Sequence, residues 1–232
     1  MGRQKKPFLD YLLQNIAGAG YTEIVIVIND RDTITAEYYS SNPINGLQIT
    51  FAIQKIPQGR NKPLGTAYAV LQGLESKPNW SGLYFTVCNA DNLYSINALA
   101  LLREKEQGII DYDAAGLGIP EERVKAFAVI RKDRDGYLTD IIEKPTNTEI
   151  ALLTDNEGRV GVSMNIFRLN EKIIKPYLEN CPLDPQRNEK ELPMAIKMMI
   201  QDCPQSMQTT PLSEKVPDLT YKWDIPTVSK GL

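Results

Sequence analysis

Leu83-Tyr84-Phe85-Thr86-Val87-Cys88-Asn89-Ala90-Asp91-Asn92 is a run of strand-forming, mostly apolar residues that ends in a carboxylate flanked by two amide side chains. A strand covered on both faces reads as a continuous apolar run, and in open α/β sheets ligands sit just beyond the carboxyl ends of such strands. Asp91 therefore stands where chemistry would be. An aspartate at such an end can hold a hard divalent cation through oxygen while a phosphate supplies further ligands. On position alone, Asp91 reads equally well as the cap of the following helix.

The flanking segments repeat a strand, helix, strand order. Residues 7–17 carry apolar side chains at Phe8, Leu9, Leu12, Leu13 and Ile16, the period of an amphipathic helix opened by Pro7. Ile24-Val25-Ile26-Val27-Ile28 is a β-branched run, and it predicts a core strand over 23–29. A short helix over 33–39, a strand over 47–54, a polar loop over 58–65 and a helix over 66–74 lead to the strand ending at Asp91. A helix over 95–107 closes the unit. Beyond about residue 110 the spacing predicts strands over 114–119, 126–130, 137–142, 161–169 and 207–212, with helices over 171–179 and 189–201. An Asp135-Gly136 hairpin signal joins the second and third of these strands. The expected fold is α/β: a Rossmann-like, doubly wound, mostly parallel sheet with an appended mixed β region, forming one domain over 1–232.

Composition narrows the chemistry. The 232 residues carry a net charge of −3 without a basic stripe, which argues against nucleic acid as a partner. Cys88, Cys181 and Cys203 are odd in number and widely spaced, which suits a reduced, cytoplasmic protein better than a disulfide framework. No apolar stretch is long enough to span a membrane, and no charged start precedes an apolar signal region. Histidine is absent. That removes imidazole bases, Ser-His-Asp and Cys-His pairs and imidazole zinc sites together. Carboxylates, lysines, backbone amides and hard metals remain, a set suited to phosphoryl or nucleotidyl transfer, where positioning and charge neutralisation carry most of the rate.

Three further segments could carry such chemistry. Lys62-Pro63-Leu64-Gly65-Thr66-Ala67 opens a helix, whose free amides favour an anion or polar ring, and Gly65 would let a flat ligand approach the main chain. The same Gly-Thr pair also reads as a plain helix start. Gln54, at a strand end, could offer its amide to the polar edge of a base or to solvent. Glu143-Lys144-Pro145 puts an acid and a base side by side after a strand, where consecutive side chains face opposite ways. Lys144 could neutralise a phosphate and Glu143 could accept from sugar hydroxyls, or the two could be a surface pair. Asp224, within Tyr221-Lys222-Trp223-Asp224-Ile225-Pro226-Thr227, is a second isolated aspartate that could share one magnesium ion with Asp91.

Taken in order, these pieces resemble the sugar-phosphate nucleotidyltransferases, the pyrophosphorylase family that makes nucleotide sugars, over nearly the whole chain. Lys6-Pro7-Phe8-Leu9 looks like the family's Lys-Pro helix opening, and 21–27 looks like its second strand. Pro63-Leu64-Gly65-Thr66-Ala67 looks like the loop that contacts the base, with Gln54 near a base-reading glutamine. Asn89-Ala90-Asp91 resembles the Gly-Asp strand end whose aspartate binds magnesium. Ile142-Glu143-Lys144-Pro145 matches the Glu-Lys-Pro motif that holds sugar and phosphate, and 223–227 is similar to the Trp-x-Asp-x-Gly-Thr region with its second metal-binding aspartate.

The resemblance implies Mg2+ on Asp91 and Asp224, nucleotide contacts at Gln54, Gly65 and Thr66, and sugar contacts at Glu143 and Lys144, with Asp91 and Lys144 central to catalysis. It implies a nucleotide-binding half over 1–110 and a sugar-phosphate-binding half over 111–232. The substrates would be a nucleoside triphosphate and a sugar 1-phosphate, and homo-oligomers are common in the family. The sequence departs from the family where a first strand and a glycine-rich phosphate loop would precede Lys6, so the core sheet is expected to show an unpaired edge or apolar slot. Ala90 and Pro226 replace glycines of the pattern. Two alternatives to the transferase follow: a catalytically inactive or regulatory nucleotide-sugar-binding subunit, and a metal-dependent glycosyltransferase of related fold.

Overall fold

The computed structural model describes residues 6–219. In chain order the elements begin with α1 (Phe8–Gly18), β1 (Glu23–Asn29), α2 (Thr33–Ser41), β2 (Gln48–Gln54), α3 (Thr66–Glu75), β3 (Tyr84–Cys88), α4 (Ile96–Arg103) and β4 (Gly108–Asp113). They continue with α5 (Ala114–Leu117), β5 (Ala128–Lys132), β6 (Leu138–Ile142), α6 (Asn147–Leu153), β7 (Gly161–Ser163), β8 (Ile166–Asn170), α7 (Glu171–Asn180), α8 (Leu192–Asp202) and β9 (Gln208–Leu212). Among the described residues no helix is long and apolar enough to cross a membrane.

The strands form two sheets. β1 and β2 pair in parallel from Glu23↔Gln48 to Asn29↔Gln54, the βαβ unit that the β-branched run implied. The larger sheet has the order β3-β8-β4-β7-β5-β6, with β9 added beside β4. There β4/β9 is parallel and the other pairs are antiparallel, so the appended mixed region is the larger part of the fold. β3 does not join β1. It pairs only with β8 among the described strands, leaving the gap in the sheet that the sequence led us to expect.

Two apolar clusters fill the core. One packs α3, α7 and α8 on one face of the large sheet, around Phe167, Leu169, Ile196 and Met199. The other packs α1 and α4 on the opposite face, around Leu13, Leu99, Ile110 and Tyr112. Each draws side chains from before and after residue 110. A buried carboxylate requires hydrogen-bond partners. Asp10 on α1 has two: the hydroxyls of Tyr38 and Tyr39 donate to it at 2.9 and 2.8 Å and tie α1 to α2.

The structure corrects three local expectations. Residues 114–119 are not a strand. The strand is β4, immediately before, and the Asp113 carboxylate caps the short α5 by accepting from the Ala115 and Gly116 amides. β4 escapes pattern reading because the fully buried Asp111 interrupts its apolar run. That carboxylate accepts from Lys132 Nζ at 2.6 Å and Arg159 Nη1 at 2.9 Å. The expected strand over 161–169 is split into β7 and β8 at Asn165, which adopts φ 54°. α6, not expected, starts at a capping box in which Thr146 and Glu149 bond reciprocally.

Gly161 faces the buried Asp111. A Cβ there would lie 1.9 Å from Asp111 Oδ1. Gly161→Ala should push the carboxylate away from its two cations and cost about 1–3 kcal/mol. Urea unfolding reads this directly, and an unchanged midpoint would remove Gly161 from the support of β4.

Candidate active site

The end of β3 opens onto a crevice of about 660 Å3 walled by Pro7 and Phe8, by Thr66, and by Asn89, Ala90 and Asp91. The cap of α4 is Ser95, whose hydroxyl accepts from the Ala98 amide at 2.9 Å and donates to Glu214 at 2.6 Å. The capping role open to Asp91 in the sequence thus belongs to Ser95. The Asp91 carbonyl accepts from the Leu219 amide at 2.8 Å, and the Leu93 amide donates to Pro217 at 2.8 Å. Beneath the loop, the buried Tyr94 hydroxyl donates to the Met164 carbonyl at 2.6 Å. Asp91 is therefore presented at the crevice by a loop pinned from two sides. Asp224 and the 221–227 motif lie outside the described residues.

Gln54, Gly65 and Thr66 come together at the start of α3. The Gln54 amide, at the end of β2, donates to the Gly65 carbonyl at 2.9 Å, so it anchors the loop. Gly65 adopts φ 102° and ψ −176°, a region open essentially to glycine alone. A Cβ there would lie 2.6 Å from the Lys190 carbonyl oxygen. Glycine at this point thus answers to close approach of the protein's own backbone. The Ala67 amide donates to that same Lys190 oxygen at 2.9 Å, and the Leu192 amide donates to Thr66 Oγ1 at 2.9 Å. One of the first-turn amides of α3 is therefore already used.

The segment zipped to this loop, 184–191, carries charge towards Glu143 and Lys144. Arg187 donates to Glu191 at 3.3 Å. That bond pushes the Arg187 guanidinium above its ordinary pKa, and Glu143 adds to the effect. The Arg187 and Gln186 amides hold the Asp184 carboxyl below the usual carboxylate range, and the charge of Lys144 contributes. β6 ends at Ile142, so Glu143 and Lys144 sit in a bend and not on a strand. Lys144 has φ 49° immediately before Pro145. A residue before proline favours extended backbone, so this left-handed geometry stores on the order of 1–3 kcal/mol. Such strain is common where a side chain is held for use.

Arg187 and the Lys190 backbone were not apparent from the sequence. Residues 189–191 read there as the first turn of a helix, whereas α8 begins only at Leu192 with Pro193 in its first turn. A proline prefers the first helical position, and that signal, given more weight, would have exposed the preceding charged run as a loop. All three cysteines are free thiols, and burial pushes Cys88 up to about 12.

A family model described as nucleotidyl transferase matches residues 2–215. The chain belongs to the nucleotidyl transferase family. The glucose-1-phosphate adenylyltransferase of Corynebacterium kroppenstedtii is 25% identical over 143 residues, covering 60% of this chain and 35% of that protein. The enzyme of the same description from Clostridium perfringens is 24% identical over 188 residues, covering 78% of this chain and 46% of that one. The chain thus spans less than half the length of these curated relatives. The crystal structure of HddC from Yersinia pseudotuberculosis superposes with a TM-score of 0.63 at 17% identity, over 97% of this chain and 85% of that one, which establishes the shared fold. This family member is accordingly built on a nucleotide-diphospho-sugar transferase type of α/β fold.

Proposed function

We propose that this nucleotidyl transferase family member joins a nucleoside triphosphate to a sugar 1-phosphate and releases pyrophosphate. The observation that supports the reading is the convergence at the start of α3. The crevice holding Asp91 borders Thr66 on one side, and the 184–191 segment packed on the same turn faces Glu143 and Lys144 on the other. In the reaction, a sugar-phosphate oxygen attacks the α-phosphorus in line, a new P–O bond forms, and the bond to the bridging oxygen of the β-phosphate breaks. Pyrophosphate carries that electron pair away, and no covalent enzyme intermediate is required.

Lys144 neutralises the sugar phosphate as a point charge, with Arg187 adding positive charge to the same side. Glu143 accepts from sugar hydroxyls. The loop held by Gln54, with Gly65 and Thr66, lies against the base. Among the described residues no three acidic or thiol side chains cluster as a self-sufficient metal cage, and the crevice offers oxygen donors only, from Asp91, Asn89 and Thr66. That donor set fits magnesium, which binds through one or two carboxylates and keeps water and phosphate oxygens. Asp91 and Asp224 are the residues that would hold it, and its chemistry there is neutralisation of phosphate charge. Asp224 follows Leu219, the residue bonded to Asp91, by five positions, which supports the pairing.

The test is pyrophosphate release from the purified chain supplied with each nucleoside triphosphate, sugar 1-phosphates and magnesium. Turnover is expected for a restricted set of base and sugar, and Lys144→Ala should raise KM for the sugar phosphate by roughly 10- to 100-fold, the range for a charge-assisted bond. An unchanged KM would remove Lys144 from the phosphate site. The alternative outcome is a nucleotide-sugar-binding subunit without turnover. Thermal stabilisation by nucleotide with no pyrophosphate released would select it.

A further inference from the structure

The loop between β2 and α3, residues 55–65, and the 184–191 segment before α8 are held against each other by polar bonds. No residue from 55 to 65 or from 182 to 191 is buried, so no apolar core fixes either loop. Bonds across the two take its place. Lys62 Nζ donates to the Arg187 carbonyl at 2.8 Å and pairs with Glu189 Oε1 at 2.5 Å. Arg60 Nη2 donates to the Asn188 carbonyl, and the Lys190 amide donates to the Leu64 carbonyl at 2.5 Å. The second loop is itself a closed turn. Its Asn188 amide donates to the Asp184 carbonyl at 2.7 Å and its Asp184 amide to the Glu189 carbonyl at 2.8 Å, with Asn188 at φ 55°.

Each loop leads to a different part of the candidate site. The first runs into Gly65 and Thr66, on the nucleotide side. The second carries Arg187, whose charge lies towards Glu143, and Asp184, which feels the charge of Lys144. Lys62 joins the two. Its ammonium is engaged by the Arg187 backbone and the Glu189 carboxylate, so it acts through Arg187 and not on a substrate. With the Lys62 side chain 52% exposed, its pair with Glu189 adds little to global stability. What the pair does is set where one loop lies relative to the other.

We propose that Lys62 is a positioning residue that couples the two substrates: by clasping the 55–65 loop to the 184–191 loop, it makes nucleotide binding and sugar-phosphate binding strengthen each other. A nucleotide lying against Gly65 and Thr66 orders the first loop, and through Lys62 it orders the second. The entropy of ordering is then lost once for both ligands, and the one that binds second binds more tightly. Linkage makes the effect reciprocal, so a sugar phosphate bound first strengthens nucleotide binding by the same factor. The inference rests on the reaction proposed above, with the nucleotide at the start of α3 and the sugar phosphate at Lys144.

The test is calorimetry on the full chain with magnesium present. It measures the affinity for glucose, galactose and mannose 1-phosphates with and without the non-cleavable α,β-methylene analogue of each nucleoside triphosphate. In the parent chain the analogue that binds best should tighten sugar-phosphate binding by at least about fivefold, and by itself should slow amide exchange at Asn188 and Lys190. In Lys62→Met that factor should fall below about twofold and the slowing should vanish, while each ligand alone binds within about threefold of the parent. Lys62→Arg, which keeps a cation with donors, should retain the factor, and Glu189→Gln should lower it from the other loop. A parent factor near one overturns the inference and leaves the reaction standing. So does a factor unchanged in Lys62→Met, even where both separate affinities drop, because Lys62 is then a structural contact only. Binding of neither class of ligand by the parent overturns the reaction and the inference with it.

Discussion

Asp91→Asn lowers pyrophosphate release by at least about 100-fold, equivalent to about 2.7 kcal/mol of transition-state stabilisation, while the variant still unfolds cooperatively. The two parts of the expectation have separate causes. The bond from Leu219 that secures the Asp91 loop is made to the backbone carbonyl, and the α4 cap is made by Ser95, so an isosteric side chain leaves both intact. What the substitution removes is the negative charge, and an amide oxygen is a poorer ligand than a carboxylate for a hard cation. The variant should therefore need more magnesium for half-maximal rate, and chelation of the ion should silence the parent chain as well. Release within about threefold of the parent would detach Asp91 from the chemistry.

Gly65→Ala destabilises the fold by about 2–4 kcal/mol, a drop of roughly 5–15 °C in the unfolding midpoint. One contribution is the backbone region occupied at φ 102° and ψ −176°. The other is crowding, since the new methyl would meet the Lys190 carbonyl oxygen at 2.6 Å and Glu189 Cβ at 2.8 Å. Gly59→Ala separates the two. Gly59 also has positive φ, at 83°, but nothing lies within 4 Å of its would-be Cβ, so its cost should stay near 1 kcal/mol. Because 189–190 is packed against the start of α3, the alanine at 65 should also raise KM for the nucleotide. A Gly65→Ala midpoint equal to that of Gly59→Ala would show that the contact with Lys190 yields at no cost.

The elements that position the site were legible where the signal is local. The β-branched run of β1, the Gly65-Thr66 start of α3 and the apolar stretch leading to Asp91 each declare themselves within a few residues. β4 was illegible because Asp111 looks like a surface residue until Lys132 and Arg159 arrive from other strands and loops to neutralise it. α6 is written in the sequence as a Thr-x-x-Glu box, a signal confined to one turn. Arg187 lay in a charged run whose loop conformation is set by pairing with residues more than a hundred positions earlier, such as the bond from Lys62 to the Arg187 carbonyl.

The sequence by itself determined the α/β class, the order of the first strands and helices, and Asp91 at a strand end, because periodicity, helix starts and strand composition act over short distances along the chain. Only the tertiary structure decided that Gln54 and Lys190 lock Gly65, and that the 184–191 segment lies towards Glu143 and Lys144. These features depend on contacts between residues far apart in the chain, where no local pattern carries the information.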